Sequence, residues 1–159
     1  MRLGRMVGCV VALAVLMAGC TPKPLEPAQA IQHYDAVLTD VQGAIAPLGL
    51  TYKPVRGRTA KIVDGTCRYL PGYLDPVTPM TPSVFESPGW TATHATIGAA
   101  LTQAGFGEIG APERLGGMQA VRSTDNAGAT FTLLNDGSFW IVGVPIDAPD
   151  CSPQGIGLP

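Results

Sequence analysis

Glycine and proline make 35 of the 159 residues (20 and 15), and they decide where this chain can be regular. Proline removes a backbone donor and glycine relaxes the backbone, so dense runs of either break helices and strands. Two stretches are dense in proline. Thr21 to Pro27 holds Pro22, Pro24 and Pro27, and Pro71 to Pro88 holds Pro71, Pro76, Pro79, Pro82 and Pro88. The first predicts an extended spacer, the second a long irregular connection. Charged residues are scarce at 14%, but apolar residues reach 46%, enough to fill the core of one domain.

The first twenty residues differ from the rest. Arg2 and Arg5 form a short positive region, and Met6 to Met17 carries no charge. That run is short for a membrane span, which needs about 20 residues. Small residues Ala18 and Gly19 stand directly before Cys20, the order of a secretory signal and its cleavage site. Leu16-Met17-Ala18-Gly19-Cys20 resembles the lipobox of bacterial lipoproteins, with Met17 where that pattern prefers leucine. The resemblance implies a signal over 1–19, cleavage before Cys20 and a diacylglyceryl thioether on its sulfur. Residues 20–27 would then be a lipidated, Pro-rich tether of roughly 20 Å between bilayer and domain. An ordinary signal cut nearby, or an uncleaved anchor, is the plainer alternative.

Cys9 leaves with such a signal and Cys20 is taken by lipid. Cys67 and Cys151 remain, and in an exported, oxidising setting a disulfide between them is the simplest reading. Two free thiols or a metal site are the alternatives. A metal site would need further ligands, and only His33 and His94 are at hand. No metal and no cofactor is expected.

Apolar residues Ile31, Tyr34, Leu38, Val41, Ile45 and Leu48 recur at helical spacing from Ala28 on, with Pro47 and Gly49 closing the helix. Tyr52 and Val55 hint at a strand that Pro54 and Gly57 weaken. A strand is predicted around Thr66 to Leu70. A second helix should run from Ser87-Pro88 or Thr91 to Ala104, with Ile97 and Leu101 inward, Gly105 as left-handed cap and Phe106 packing back. Met118 to Arg122, Thr130 to Leu134 and Phe139 to Val144 read as strands. Asn135-Asp136-Gly137-Ser138 is a hairpin signal. The expectation is an α+β domain over 28–152: an antiparallel sheet of about four strands, two helices on one face, one disulfide. Residues 153–159 would be a flexible tail.

This order of lipobox, spacer, helix, early cysteine, second helix and hairpin followed by Asp150-Cys151 resembles the LppA/LppV-like lipoproteins of mycobacteria and related actinobacteria. The resemblance implies a place on the outer leaflet of the cell membrane, facing the cell wall. It brings no settled biochemical activity.

Catalytic signals are weak. His33 lies on the polar side of the first helix and His94 in the second. There is no Gly-x-Ser-x-Gly, and Gly105-Phe106-Gly107-Glu108-Ile109-Gly110 is turn chemistry, since Pro112 stands where a helix would have to continue. No catalytic residue is assigned, and the chain is expected not to be an enzyme. Without Arg2 and Arg5, eight lysines and arginines face twelve acids, a net of −4, which predicts no basic face for nucleic acid. Aromatic residues are the better lead. Tyr69, Tyr73, Phe85 and Trp90 cluster around the Pro-rich connection and could line a groove for an extended partner or a glycan, or else serve as ordinary core. Trp140 points away from Phe139 and Ile141, so an exposed Trp140 would mark a contact surface. The functional expectation is a membrane-anchored envelope protein that binds a protein or cell-wall partner. A carrier of an apolar small molecule comes second, and a cell-wall hydrolase third.

Overall fold

The computed structural model describes residues 23–159. The signal over 1–19 and the lipidation site Cys20 lie outside the described residues.

Helix α1 (Pro27–Ile45) opens with proline at its first position, where a missing N–H costs nothing. It buries Ala30, Tyr34, Val37, Leu38, Val41, Ala44 and Ile45. The inward stripe is thus rotated slightly from the predicted one, and Ile31 and Leu48 are only half-buried. A 3-10 turn over Ala46–Leu48 follows, and Gly49 closes it at φ 79°.

Helix α2 (Trp90–Gln103) buries Thr93, Ile97 and Leu101. Its end follows the expected cap. Gly105 takes φ 88°, its N–H reaches Thr102 O at 3.0 Å, and the Phe106 N–H reaches Leu101 O at 2.9 Å. These two bonds satisfy carbonyls that a helix end otherwise leaves bare, and Phe106 folds back to 4% exposure.

Among the described residues nine strands follow in chain order: β1 (Tyr52–Arg56), β2 (Thr59–Val63), β3 (Thr66–Leu70), β4 (Gly72–Pro76), β5 (Glu113–Leu115), β6 (Met118–Thr124), β7 (Thr130–Leu134), β8 (Phe139–Val142) and β9 (Val144–Pro145). A six-stranded sheet has the order β1-β4-β8-β7-β6-β5, and a three-stranded one the order β2-β3-β9. All of these pairings are antiparallel. The α+β class holds, but nine strands in two sheets replace the expected four in one.

The difference has physical causes. Pro54 sits in β1, an edge strand, where a missing donor is tolerated. Pro71 precedes β4, and Pro76 lies past Leu74, the last β4 residue paired with β8. The Pro-rich connection therefore contains a strand where none was expected.

The two sheets share a corner. β3 runs into β4 through Pro71 alone, and β8 into β9 through Gly143 alone. β3 pairs with β9 in the small sheet, and β4 with β8 in the large one. One antiparallel pair thus bends from sheet to sheet, with Gly72 at φ 123° and Gly143 at φ 81° taking up the bend. A Cβ on Gly72 would also stand 3.2 Å from the Arg56 carbonyl oxygen.

Odd-numbered positions of the central strands build the core. Phe131, Leu133, Phe139 and Ile141 are at 0% exposure, in one cluster with Tyr34, Val41, Ile45, Ile97 and Leu101 from the helices. Burying such a side chain stabilises by about 1.5–3 kcal/mol. Tyr34 adds a polar link, for its hydroxyl donates to Asp125 Oδ2. The other oxygen of Asp125 accepts the N–H groups of Ala127 and Ala129 at 2.9 and 2.8 Å, which shapes the β6–β7 turn.

Cys67 and Cys151 are joined, with Cα atoms 5.5 Å apart across 84 positions of sequence. The segment 153–159 was expected to be loose and is not. Gln154–Ile156 forms a 3-10 turn, and Ile156 and Leu158 enter the core at 4% and 6% exposure. Two apolar side chains beside a covalent tie make docking cheaper than exposure. The N-terminal end is also fastened: the Leu25 N–H reaches Pro145 O at 3.3 Å and the Asp147 N–H reaches Leu25 O at 2.8 Å. The fold thus begins at Leu25, inside the expected tether. Among the described residues no helix is long and apolar enough to cross a membrane.

Candidate binding cleft

The face that carries the even positions of β6, β7 and β8 and the odd positions of β4 turns away from that core. Across it runs the row Tyr73, Trp140, Thr132 and Arg122, in register on β4, β8, β7 and β6. Tyr73 and Trp140 stack with ring centroids 4.7 Å apart and planes 19° from parallel. Offset aromatic stacking at such a distance adds about 0.5–1.5 kcal/mol beyond area burial. Both rings remain only partly buried.

The stacked pair forms a wall of an open cleft of about 690 Å³ at the corner between the two sheets. Val55, Arg56, Lys61 and Asp75 also line it. The β1–β4 register shifts between Pro54 and Arg56, a bulge that leaves Val55 unpaired and 50% exposed. Bulges re-aim side chains in this way. A second cleft of about 480 Å³, lined by Lys61, Val63, Arg68 and Gly143 among others, shares Lys61, Leu70 and Val142 with the first. Together they make one groove along the β2–β3 hairpin.

The groove is cationic, although the chain is acidic. Lys53, Arg56, Arg58, Lys61 and Arg68 fall within β1 to β3 and their turns, with Asp64 the single acid of that stretch. The net charge, averaged over the whole chain, conceals this local concentration. Arg58 is bound to Asp35, Nη1 to Oδ2 at 2.6 Å. Arg68 donates to the Gly143 carbonyl at 2.8 Å. Arg56 and Lys61 take part in no ion pair among the described residues.

Burial pushes the Tyr73 phenol up from its ordinary value; the charges of Asp75 and Asp136 push the same way, and a hydrogen bond with Ser138 partly opposes them. Tyr73 therefore keeps its proton at neutral pH and brings a neutral hydroxyl to the cleft.

The four aromatic residues singled out from the sequence do not converge. Tyr69 is at 0% exposure in the core, its hydroxyl donating to Asp35 Oδ1 at 3.2 Å. Tyr73 lies beyond the sheet-to-sheet bend and faces outward. Phe85 and Trp90 pair with each other, centroids 4.9 Å apart, at the start of α2. The bend at Pro71-Gly72 separates Tyr69 from Tyr73, and the chain leaves the sheet before Phe85. Trp140 is the residue that completes the site, through a strand register that spacing alone does not reveal.

The histidines stand elsewhere. His33 packs edge-on to Tyr34 at 4.8 Å and His94 lies 5.2 Å from Trp90. Among the described residues no group of three or more His, Cys, Asp or Glu is placed to hold a metal ion. Compared with protein-family models, with curated proteins and with solved structures, the chain has no match.

Proposed function

We propose that this chain is an envelope lipoprotein of the LppA/LppV-like kind, anchored through Cys20, and that its domain binds a partner through the Tyr73–Trp140 cleft without transforming it. One observation carries the reading. Two large aromatic rings stand stacked and partly buried on the sheet face away from the core, at the wall of an open cleft. Exposed aromatic clusters in concave sites are the usual anchors of recognition. An enclosed apolar cargo is less well served. Tyr34, Phe131, Phe139, Ile97 and Leu101 fill the space between helices and sheet, while the cleft is open and partly charged.

The test is cosedimentation of the full-length chain, held in detergent, with delipidated cell-envelope fragments. The wild type should be retained saturably. Tyr73→Ala combined with Trp140→Ala should weaken retention about tenfold or more, equivalent to roughly 1.4 kcal/mol, with the fold intact by circular dichroism. Equal retention of the double variant would remove the cleft as the binding surface. Mass spectrometry of the native protein tests the anchor: an unmodified Cys20 sulfur would exclude it.

A further inference from the structure

We infer that the groove takes an anionic carbohydrate chain, with acid groups on Arg56 and Lys61 and sugar faces against Tyr73 and Trp140. The inference rests on the binding reading above and adds the ligand class. Three observations lead to it.

The first is charge. Arg56 and Lys61 are exposed, line the same cleft and lack a carboxylate partner among the described residues. Guanidinium and ammonium groups held at a concave surface favour carboxylate or phosphate, and the attraction is stronger where walls exclude water. Arg68 extends the same sign along the groove. On a chain with more acids than bases, this concentration selects for negative ligands.

The second is the aromatic pair. Sugar rings present C–H faces that pack on aromatic surface, while their hydroxyls need polar partners nearby. Tyr73 supplies a neutral hydroxyl, and Asp75 on the same strand face supplies an acceptor. A purely apolar ligand would cover the charges of Arg56 and Lys61 without pairing them, at a cost.

The third is shape. Two clefts continuous through Lys61, Leu70 and Val142 form an elongated site, better matched to successive units of a chain than to one compact molecule. Single-stranded nucleic acid also joins cations to aromatic rings. There, bases stack on ring faces much as sugar faces do, so the thymidylate probe separates the two.

The experiment uses the full-length chain carrying Trp90→Phe, so that Trp140 is the single remaining tryptophan of two and reports directly on the cleft. Four probes are titrated by fluorescence and calorimetry: a galacturonic acid hexamer, mannopentaose phosphate, a neutral galactose hexamer and a thymidylate hexamer. Saturable change with one or both acidic sugars is expected, and the pair tells carboxylate from phosphate. The neutral sugar should bind about tenfold more weakly or worse. Arg56→Gln with Lys61→Gln should remove most of that difference, and so should high salt. Both positions are exposed, so the variant keeps the core. Equal binding of neutral and acidic sugars would overturn the anionic assignment and leave the cleft reading standing. Tighter binding of the thymidylate hexamer, or no saturable change with any probe, would overturn it too. In that last case, envelope retention of the wild type decides whether the cleft reading falls with it.

Discussion

Phe139 and Trp140 are neighbours on β8 and meet opposite fates. Phe139 is at 0% exposure against Tyr52 and Phe131, ring centroids 5.0 and 6.2 Å away. Trp140 stands only partly buried against Tyr73. On β7, Phe131 and Leu133 face the core and Thr132 faces the other way, where it is buried too, at 2% exposure. One face of the sheet builds the main core; the other is covered in part, with Thr132 and Leu134 buried, and carries Tyr73 and Trp140 at a cleft wall. The recognition proposed above would use the aromatic pair at that wall.

That contrast can be broken experimentally. The largest effect should come from the covalent tie behind the core face. Cys67→Ser with Cys151→Ser removes a cross-link over 84 positions, for which chain entropy assigns roughly 4.5 kcal/mol. Urea denaturation should show that loss, and hydrogen exchange at Ile156 and Leu158 should quicken first. Next come the two neighbours on β8. Phe139→Ala should cost about 4 kcal/mol through lost burial and a residual cavity. Trp140→Ala should cost about 1 kcal/mol while weakening envelope retention, by less than the double variant with Tyr73→Ala does. Similar costs for the two substitutions would erase the distinction between the faces.

Alkaline pH acts gradually, with a small effect per step of pH. Burial holds the phenols of Tyr34 and Tyr69 well above their ordinary value of 10.0, and the neighbouring carboxylates Asp125 and Asp35 add to it. The folded chain thus keeps these protons more tightly than the unfolded chain. Stability should be full below pH 10 and fall as pH rises beyond it, by up to about 1.4 kcal/mol per pH unit for each phenol. Tyr34→Phe should reduce that slope in urea titrations between pH 10 and 11.5, whereas Tyr73→Phe, on the half-open face, should change it less.

Legibility in the residues divides in the same way. Both helices, the cap at Gly105, the 135–138 hairpin and the Cys67–Cys151 bridge are visible because each depends on local pattern or on simple pairing. β2 is not, since Ile62 and Val63 stand exposed at 69% and 37% and give no inward rhythm. β5 is three residues long with none of them buried, so it too lacks a burial signal. β4 is hidden by prolines that happen to lie at its ends. The cleft is harder still. Tyr73 and Trp140 are distant in sequence, and only the β4–β8 register makes them partners. The chain does hold one clue to it: five cations between Lys53 and Arg68 with a single acid among them.

The stitching of Leu25 to the β9 region has a consequence for reach. With the proposed acyl group on Cys20, only the stretch between Cys20 and Leu25 is left as a leash, at most about 17 Å when taut. Gly143, which lines the groove, is two positions from Pro145, where the leash is fastened. With that anchor, this end of the groove would be held beside the bilayer. A polymer would be gripped where it skims the lipid headgroups, and strands lying farther out would pass beyond the protein's grasp.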